Sequence, residues 1–253
     1  MVLGQRKQLP RCGGRKIHHL IQQQLKQQGI KCGRDQLFTI MRQAGLLNKP
    51  RWQYVQTTNS RHWLRKYDNL VGSWRPNQAE QLWVSDITYI KTLEGTCYLS
   101  LVSDAYSRKI MGYSIADNME ASTVGNALKM ALDARLYPDR ELIHHSDRGI
   151  QYCSREYVQI ADGGKLRMSM TQNGDPYENA LAERMNRTIK EEFCLDEPVA
   201  SKELAGLIVK KAVWLYNNKR PHCKLSLRTP EQEHKNPRLL IETGDSVKPV
   251  NLF

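Results

Sequence analysis

Residues 82–91, LWVSDITYIK, alternate in character and are rich in β-branched and aromatic side chains, which predicts a strand. Residues 96–103 and 110–115 predict two more. Leu93-Glu94-Gly95 and the segment from Asp104 to Lys109 supply the turns, so the three should form an antiparallel meander. The period then changes. Over 121–135, Val124, Leu128 and Leu132 recur on one helical face. A strand at 141–146, a helix near 154–161 and a strand at 167–170 follow. A long helix at about 176–193 comes next, and another at 201–217. The order βββαβαβα with a further helix predicts an α/β fold: a mixed sheet of three antiparallel and then parallel strands, flanked by helices.

The N-terminal part reads differently. Ile17, Leu20, Ile21 and Leu25 take helical spacing in residues 14–28, and Gly29 ends that helix. A second helix carries Leu37, Ile40 and Met41, with Leu46 beyond it. Two helices with a Gly-containing turn form either a helix-turn-helix-like unit or a plain hairpin packed on the core. Residues 47–75 set Trp52, Tyr54, Trp63, Tyr67 and Trp74 among Lys49, Arg51, Arg61, Arg65, Lys66 and Arg75. That mixture suits a linker lying along a nucleic acid backbone, or one whose aromatics dock on the catalytic domain. The expected organisation is a helix-turn-helix-like basic domain over 1–50, the basic charge favouring that reading over a plain hairpin, then a basic aromatic linker over 51–75, a catalytic core over 76–235 and a tail over 236–253. A chain beginning at residue 76 is expected to keep its core folded.

Charge sharpens this picture. The 253-residue chain carries a net +12, unevenly spread. Residues 1–75 hold 15 Lys/Arg against Asp35 and Asp68, whereas 76–201 hold 13 against 19 Asp/Glu. A solubilising surface would mix both signs, so the basic N-terminal segment points to a polyanion, nucleic acid above all. No stretch approaches the roughly 18 apolar residues of a membrane span, and the first residues lack a signal peptide's apolar region. A cytoplasmic, nucleoid-associated protein with no membrane partner is expected. Six cysteines, at 12, 32, 97, 153, 194 and 223, form no C-x-x-C pair, and the spacing of Cys12, His18, His19 and Cys32 fits no compact zinc pattern.

Three carboxylates carry the candidate chemistry. Asp86 sits mid-strand, on the face shared by Val84, Thr88 and Ile90, where burial without a partner is costly. Asp147 ends the fourth strand, where α/β sheets bind ligands, and Gly149 lets the chain turn after it. Glu183 lies on the long helix, whose start reads as a capping box of Asp175 and Glu178 with Pro176 at the first helical position. Asn179, Glu183, Arg187 and Lys190 line one face of it. Singly these are an edge-strand Asp, a turn Asp and a solvated helix stripe. Together, 35 residues separate Asp147 from Glu183, and Lys190 lies seven after the glutamate.

That spacing, with the blocks WVSDITYI, SDAYSRKIMGY, HHSDRGIQY, SMTQNGDPYENALAERMNRTIKEE and YNNKRPH…TP, resembles the integrase-type transposases of bacterial insertion sequences, specifically the second open reading frame of the IS-three group. The resemblance covers nearly the whole chain. It implies a ribonuclease-H-like core related to retroviral integrase catalytic domains, in which Asp86, Asp147 and Glu183 are both catalytic residues and ligands for two Mg²⁺ ions, with Mn²⁺ able to substitute. It implies cleavage at the ends of an insertion sequence and transfer of the 3′-hydroxyl strand into target DNA by a homo-multimer on DNA. Lys190, Arg187, Asn179, Arg148, Arg34, Arg42, Arg61, Arg65 and Lys66 are the candidate DNA contacts. The His/His/Cys/Cys zinc domain of retroviral integrases is missing. So is a heptad zipper, and the chain is expected to be the downstream product, working with an upstream-frame partner or as a fusion product. The rival readings are a ribonuclease-H-like nuclease without strand transfer and a domesticated DNA-binding protein.

Overall fold

A computed structural model describes residues 1–48, 63–72, 74–172 and 179–237. Strands β1 (Leu82–Thr92), β2 (Gly95–Asp104), β3 (Ile110–Ala116), β4 (Leu142–Ser146) and β5 (Leu166–Met170) form one sheet in the order β3-β2-β1-β4-β5. The meander is antiparallel, and β4 and β5 add in parallel along the other edge of β1. Helices α4 (Ala121–Asp133), α5 (Arg155–Gly163), α6 (Ala180–Glu192) and α7 (Lys202–Asn218) follow the predicted order. Among the described residues no helix is long and apolar enough to cross a membrane.

The alternation along β1 sorts the layers. Trp83 and the half-buried Ile87 pack with Val124, Leu128, Tyr157 and Ala161 of α4 and α5. Ile90, on the opposite face, packs with Met185 and Ile189 of α6 and Val209 and Tyr216 of α7, and Val84 packs with Ala182. Asp86 and Thr88 share this second face and so look towards α6. On β3, Gly112 lets α4 approach, because a Cβ there would collide with the Ala127 carbonyl and stand 2.7 Å from the Ala131 nitrogen.

Helix α6 begins later than its pattern predicts. Asn179 caps it in a non-helical conformation (φ −119°, ψ 16°), and the first helical residue is Ala180. The Asn179 side chain donates instead to the Ser85 carbonyl at 3.2 Å, which draws this residue to the sheet. Asp175, Pro176 and Glu178 lie outside the described residues. Two short helices escaped the sequence pattern, α1 (Val2–Gln8) and α8 (Pro230–Lys235). The second had a legible signal, since Thr229 and Gln232 form a capping box with Pro230 in the first turn.

Helices α2 (Gly14–Gln27) and α3 (Arg34–Gln43) enclose Ile21, Leu25, Leu37 and Met41 in a small core of their own. The chain before them does not stand apart. Leu9, Cys12 and Ile17 lie in the same buried cluster as Met185, Ile189 and Phe193. Arg11 pairs with Asp196 and Glu197 at 2.7 and 2.8 Å, and Lys16 reaches Glu192 at 3.0 Å. Three of the basic residues that suggested a polyanion therefore have partners within the chain, the third being Arg6, which donates to the carbonyls of Pro10, Cys12 and Leu46. The described part of the linker also meets the core. Leu64 and Tyr67 pack against the buried cluster that contains Trp83, Tyr157 and Met170, and the Leu70 N–H donates to Ser169 Oγ at 2.9 Å, whereas Trp63 is 92% exposed. Trp52 and Tyr54 lie outside the described residues.

Candidate active site

Strand register brings the first two carboxylates together. Ser85 pairs with Ser146 in the parallel β1–β4 ladder, so Asp86 and Asp147 are the next residues on adjacent strands. Adjacent strands run about 4.8 Å apart, and residues in register point to the same face. Asp147 leaves the ladder as β4 ends, and its Oδ1 accepts from the Gly149 N–H at 2.9 Å. Gly149 is glycine for a different reason from the turn expected of it. Its φ is not positive; a Cβ there would come within 3.0 Å of Asp147 Oδ1 and 3.2 Å of Gln151 Oε1.

Glu183 projects from the first turn of α6, the helix laid across β1. The three acids sense one another. Burial pushes the Asp86 carboxyl up to about 7, the negative charge of Asp147 adds to it, and Glu183 adds a smaller push. The groups pulling it back are neutral amides: the Asn186 side chain, which donates to Asp86 Oδ2 at 3.0 Å, and the Ile87 backbone N–H. Glu183 is likewise raised, by burial and then by Asp147. Among the described residues, no three His, Cys, Asp or Glu side chains stand close enough together to hold one metal ion as placed. The donor set is nevertheless one that suits a hard divalent cation, being all carboxylate oxygens whose mutual repulsion a cation would relieve.

Lys190 lies two turns beyond Glu183 on the sheet side of α6. Its ammonium stands 4.3 Å from the centre of the Tyr89 ring and 3.4 Å from the Thr88 hydroxyl, and burial lowers its pKa. Its ammonium is therefore held over β1 at Thr88 and Tyr89, two and three residues beyond Asp86 along the strand.

Residues 76–176 match the family model for an integrase core domain, and residues 165–230 match a second model of the same description. Over 83% of its length the chain is 34% identical to a 31 kDa protein of insertion element IS600 from Shigella sonnei, spanning 78% of that protein. It is 34% identical to transposase InsF for insertion sequence IS3A from Escherichia coli (strain K12), with 84% of this chain and 75% of that one covered. The chain belongs to the insertion-sequence transposases with an integrase core domain. As a member of that family it is a polynucleotidyl transferase of the Asp-Asp-Glu type. Its fold is shared with a chain of the cryo-EM structure of a simian T-cell lymphotropic virus intasome, at a TM-score of 0.53 and 21% identity. That match covers 76% of the transposase and 66% of the viral chain, and marks the sheet and its helices as ribonuclease-H-like.

The predicted DNA contacts of this transposase scatter. Arg148 follows Asp147 directly and donates to the Thr171 carbonyl at 2.5 Å. Arg187 is exposed and pairs with Glu191 at 2.8 Å. Asn179 is buried against β1. Arg34 pairs with Asp35 at the surface, and Arg42 is exposed on the same helix. Arg65 lies over the Tyr67 ring and Lys66 is exposed, while Arg61 lies outside the described residues. Asn186 was missed. The signal was its place between Glu183 and Lys190 on one helical stripe, three residues after one and four before the other.

Proposed function

We propose that this transposase cuts at the ends of its insertion sequence and joins the resulting 3′-hydroxyl to target DNA in one site made of Asp86, Asp147 and Glu183. The observation that carries this is the register that sets Asp86 beside Asp147, with Glu183 facing both from α6 and two of the three acids raised. These three would hold a pair of Mg²⁺ ions, or Mn²⁺ in their place. When bound, such a pair stabilises the attacking and leaving oxygens of a phosphodiester displacement. The chain's own part is positional. Asp86 and Asp147 are set by the sheet and Glu183 by the helix. The Lys190 ammonium, about 10 Å along α6 from Glu183, grips the backbone next to the scissile phosphate. No Tyr or Ser nucleophile is required.

DNA is held by the exposed basic residues of the N-terminal helices and linker, Arg34, Arg42, Arg65 and Lys66 among them, with Arg61, Arg148 and Arg187 as further contacts. The protein acts as a homo-multimer on DNA, with an upstream-frame partner or as a fusion product, in the nucleoid. Asp147→Asn keeps size and hydrogen bonding but removes a charge that a cation needs. Incubated with end-containing DNA and Mg²⁺, this variant should lose both cleavage and strand transfer while binding DNA as the parent does. Retained nicking would reduce Asp147 to a turn residue. Cleavage without strand transfer by the unaltered protein would instead favour a nuclease.

A further inference from the structure

Two asparagines of the α6 segment face β1 on either side of Glu183, and both are buried, at 5% and 3% exposure. Asn179 donates to the Ser85 carbonyl at 3.2 Å, and Asn186 donates to Asp86 Oδ2 at 3.0 Å. Each amide nitrogen therefore holds one point of the strand that carries Asp86. The amide oxygens are another matter. Oδ1 of Asn179 and Oδ1 of Asn186 are both buried and accept no hydrogen bond in the structure. Buried polar atoms without partners are rare, because desolvation is not repaid. That of Asn186, whose amide already touches the Asp86 carboxylate, calls for a donor that arrives from outside the chain.

We propose that Asn186 is a positioning residue for the cation site, its amide N–H orienting the Asp86 carboxylate and its carbonyl oxygen accepting from water carried by the divalent cation. This rests on the metal-binding reading of Asp86, Asp147 and Glu183. The chemistry selects asparagine. An amide offers a donor and an acceptor on one rigid plane. Aspartate would face Asp86 with like charge, and leucine would fill the space with neither function. Magnesium-type cations keep several of their waters, and the hydrogens of those waters are the donors that the orphaned oxygen lacks. Partners at this distance orient ligands, and their loss typically lowers metal affinity by about 10–100-fold.

The test titrates Mn²⁺ alone into the full chain and reads free Mn²⁺ by electron paramagnetic resonance, with melting temperature measured in the absence of metal. Asn186→Leu keeps the side chain's branched shape and removes the orphaned oxygen. Its Mn²⁺ dissociation constant should rise about 10–100-fold, while the metal-free melting temperature holds or rises. A residue that serves only packing would show the opposite, a lower melting temperature with unchanged Mn²⁺ affinity, and that result overturns the proposal. Asp147→Asn is the control. If it loses Mn²⁺ while Asn186→Leu keeps it, the inference fails and the metal site stands. If Asp147→Asn also binds as the parent does, the metal site itself fails, and the inference with it. Should Asn186→Leu not fold, Asn186→Ser, which keeps a donor and an acceptor, is compared with Asn186→Ala. Tighter Mn²⁺ binding by the serine variant supports the assignment, and equal affinities overturn it.

Discussion

Glu192, the last residue of α6, joins three distant parts of the chain. Its carboxylate accepts from Arg220 Nε and Nη2 at 2.7 and 2.6 Å and from Lys16 at 3.0 Å. Its backbone carbonyl accepts from the Arg11 N–H at 3.1 Å. Burial alone would raise this carboxyl; the hydrogen bonds and charge of Arg220, with Lys16, outweigh burial and hold it below the usual range. The side chains of Arg220 and Lys16 are 6% and 12% exposed, and Arg220 Nη1 already lacks a partner. Glu192→Gln keeps the shape but leaves a buried guanidinium without its counter-charge. Breaking one partner of a buried pair costs about 3–5 kcal/mol, against at most about 1 kcal/mol for an exposed one. Urea unfolding of the full chain, followed by far-ultraviolet circular dichroism, reads the difference. The loss should be present at pH 7 and shrink as pH falls through the depressed pKa of Glu192, since the carboxylate stabilises the fold only while ionised. A double-mutant cycle with Lys16→Met should return coupling of about 0.5–3 kcal/mol. A loss below about 1 kcal/mol, or no coupling to Lys16, would refute a buried anchor and with it the link between the N-terminal segment and the helix of Glu183.

Further outcomes follow from other contacts. Removing residues 1–75 uncovers Ile189 and Phe193 and strips Glu192 of Lys16, so a chain starting at residue 76 should melt well below the full chain; an unchanged melting temperature would restore the independent core expected from sequence. Gly149→Ala places a Cβ 3.0 Å from Asp147 Oδ1, so strand transfer should fall at least tenfold, roughly the effect of about 1.4 kcal/mol, with little change in melting temperature; full activity would show that the loop yields freely. Glu80 is fully buried, and although burial raises its carboxyl, the bonds from His234, Leu136, Arg135 and Tyr137 bring it down to about 2. Its contribution, about 3 kcal/mol, is complete above its unfolded value and is lost as pH falls from about 4.5 to about 2. Glu80→Gln should therefore flatten the acid limb of stability against pH, and an unchanged limb would assign that limb to other carboxylates.

Much of the catalytic core was determined by local pattern. Local composition and the turns between them placed the five strands, and along β1 the pleat, which turns every second side chain to one face, put Asp86 on the face of Val84 and Ile90. The spacing of Asp147, Glu183 and Lys190, with the blocks around them, was enough to indicate the family. Tertiary structure decided what depends on pairs far apart in the chain. Asp86 and Asp147 meet only through the register of β1 and β4, which no local pattern encodes. Asn186 reads as one more polar helix residue until β1 lies beneath it. Lys16 and Arg11 add to a basic segment in sequence, yet in the fold they neutralise Glu192, Asp196 and Glu197 about 180 residues away. His234 and Glu80, 154 residues apart, become one buried network with Asp104 and Ser107. Charge and polarity in a sequence state what a side chain can bind; packing alone determines whether that partner is solvent, DNA or another part of the same chain.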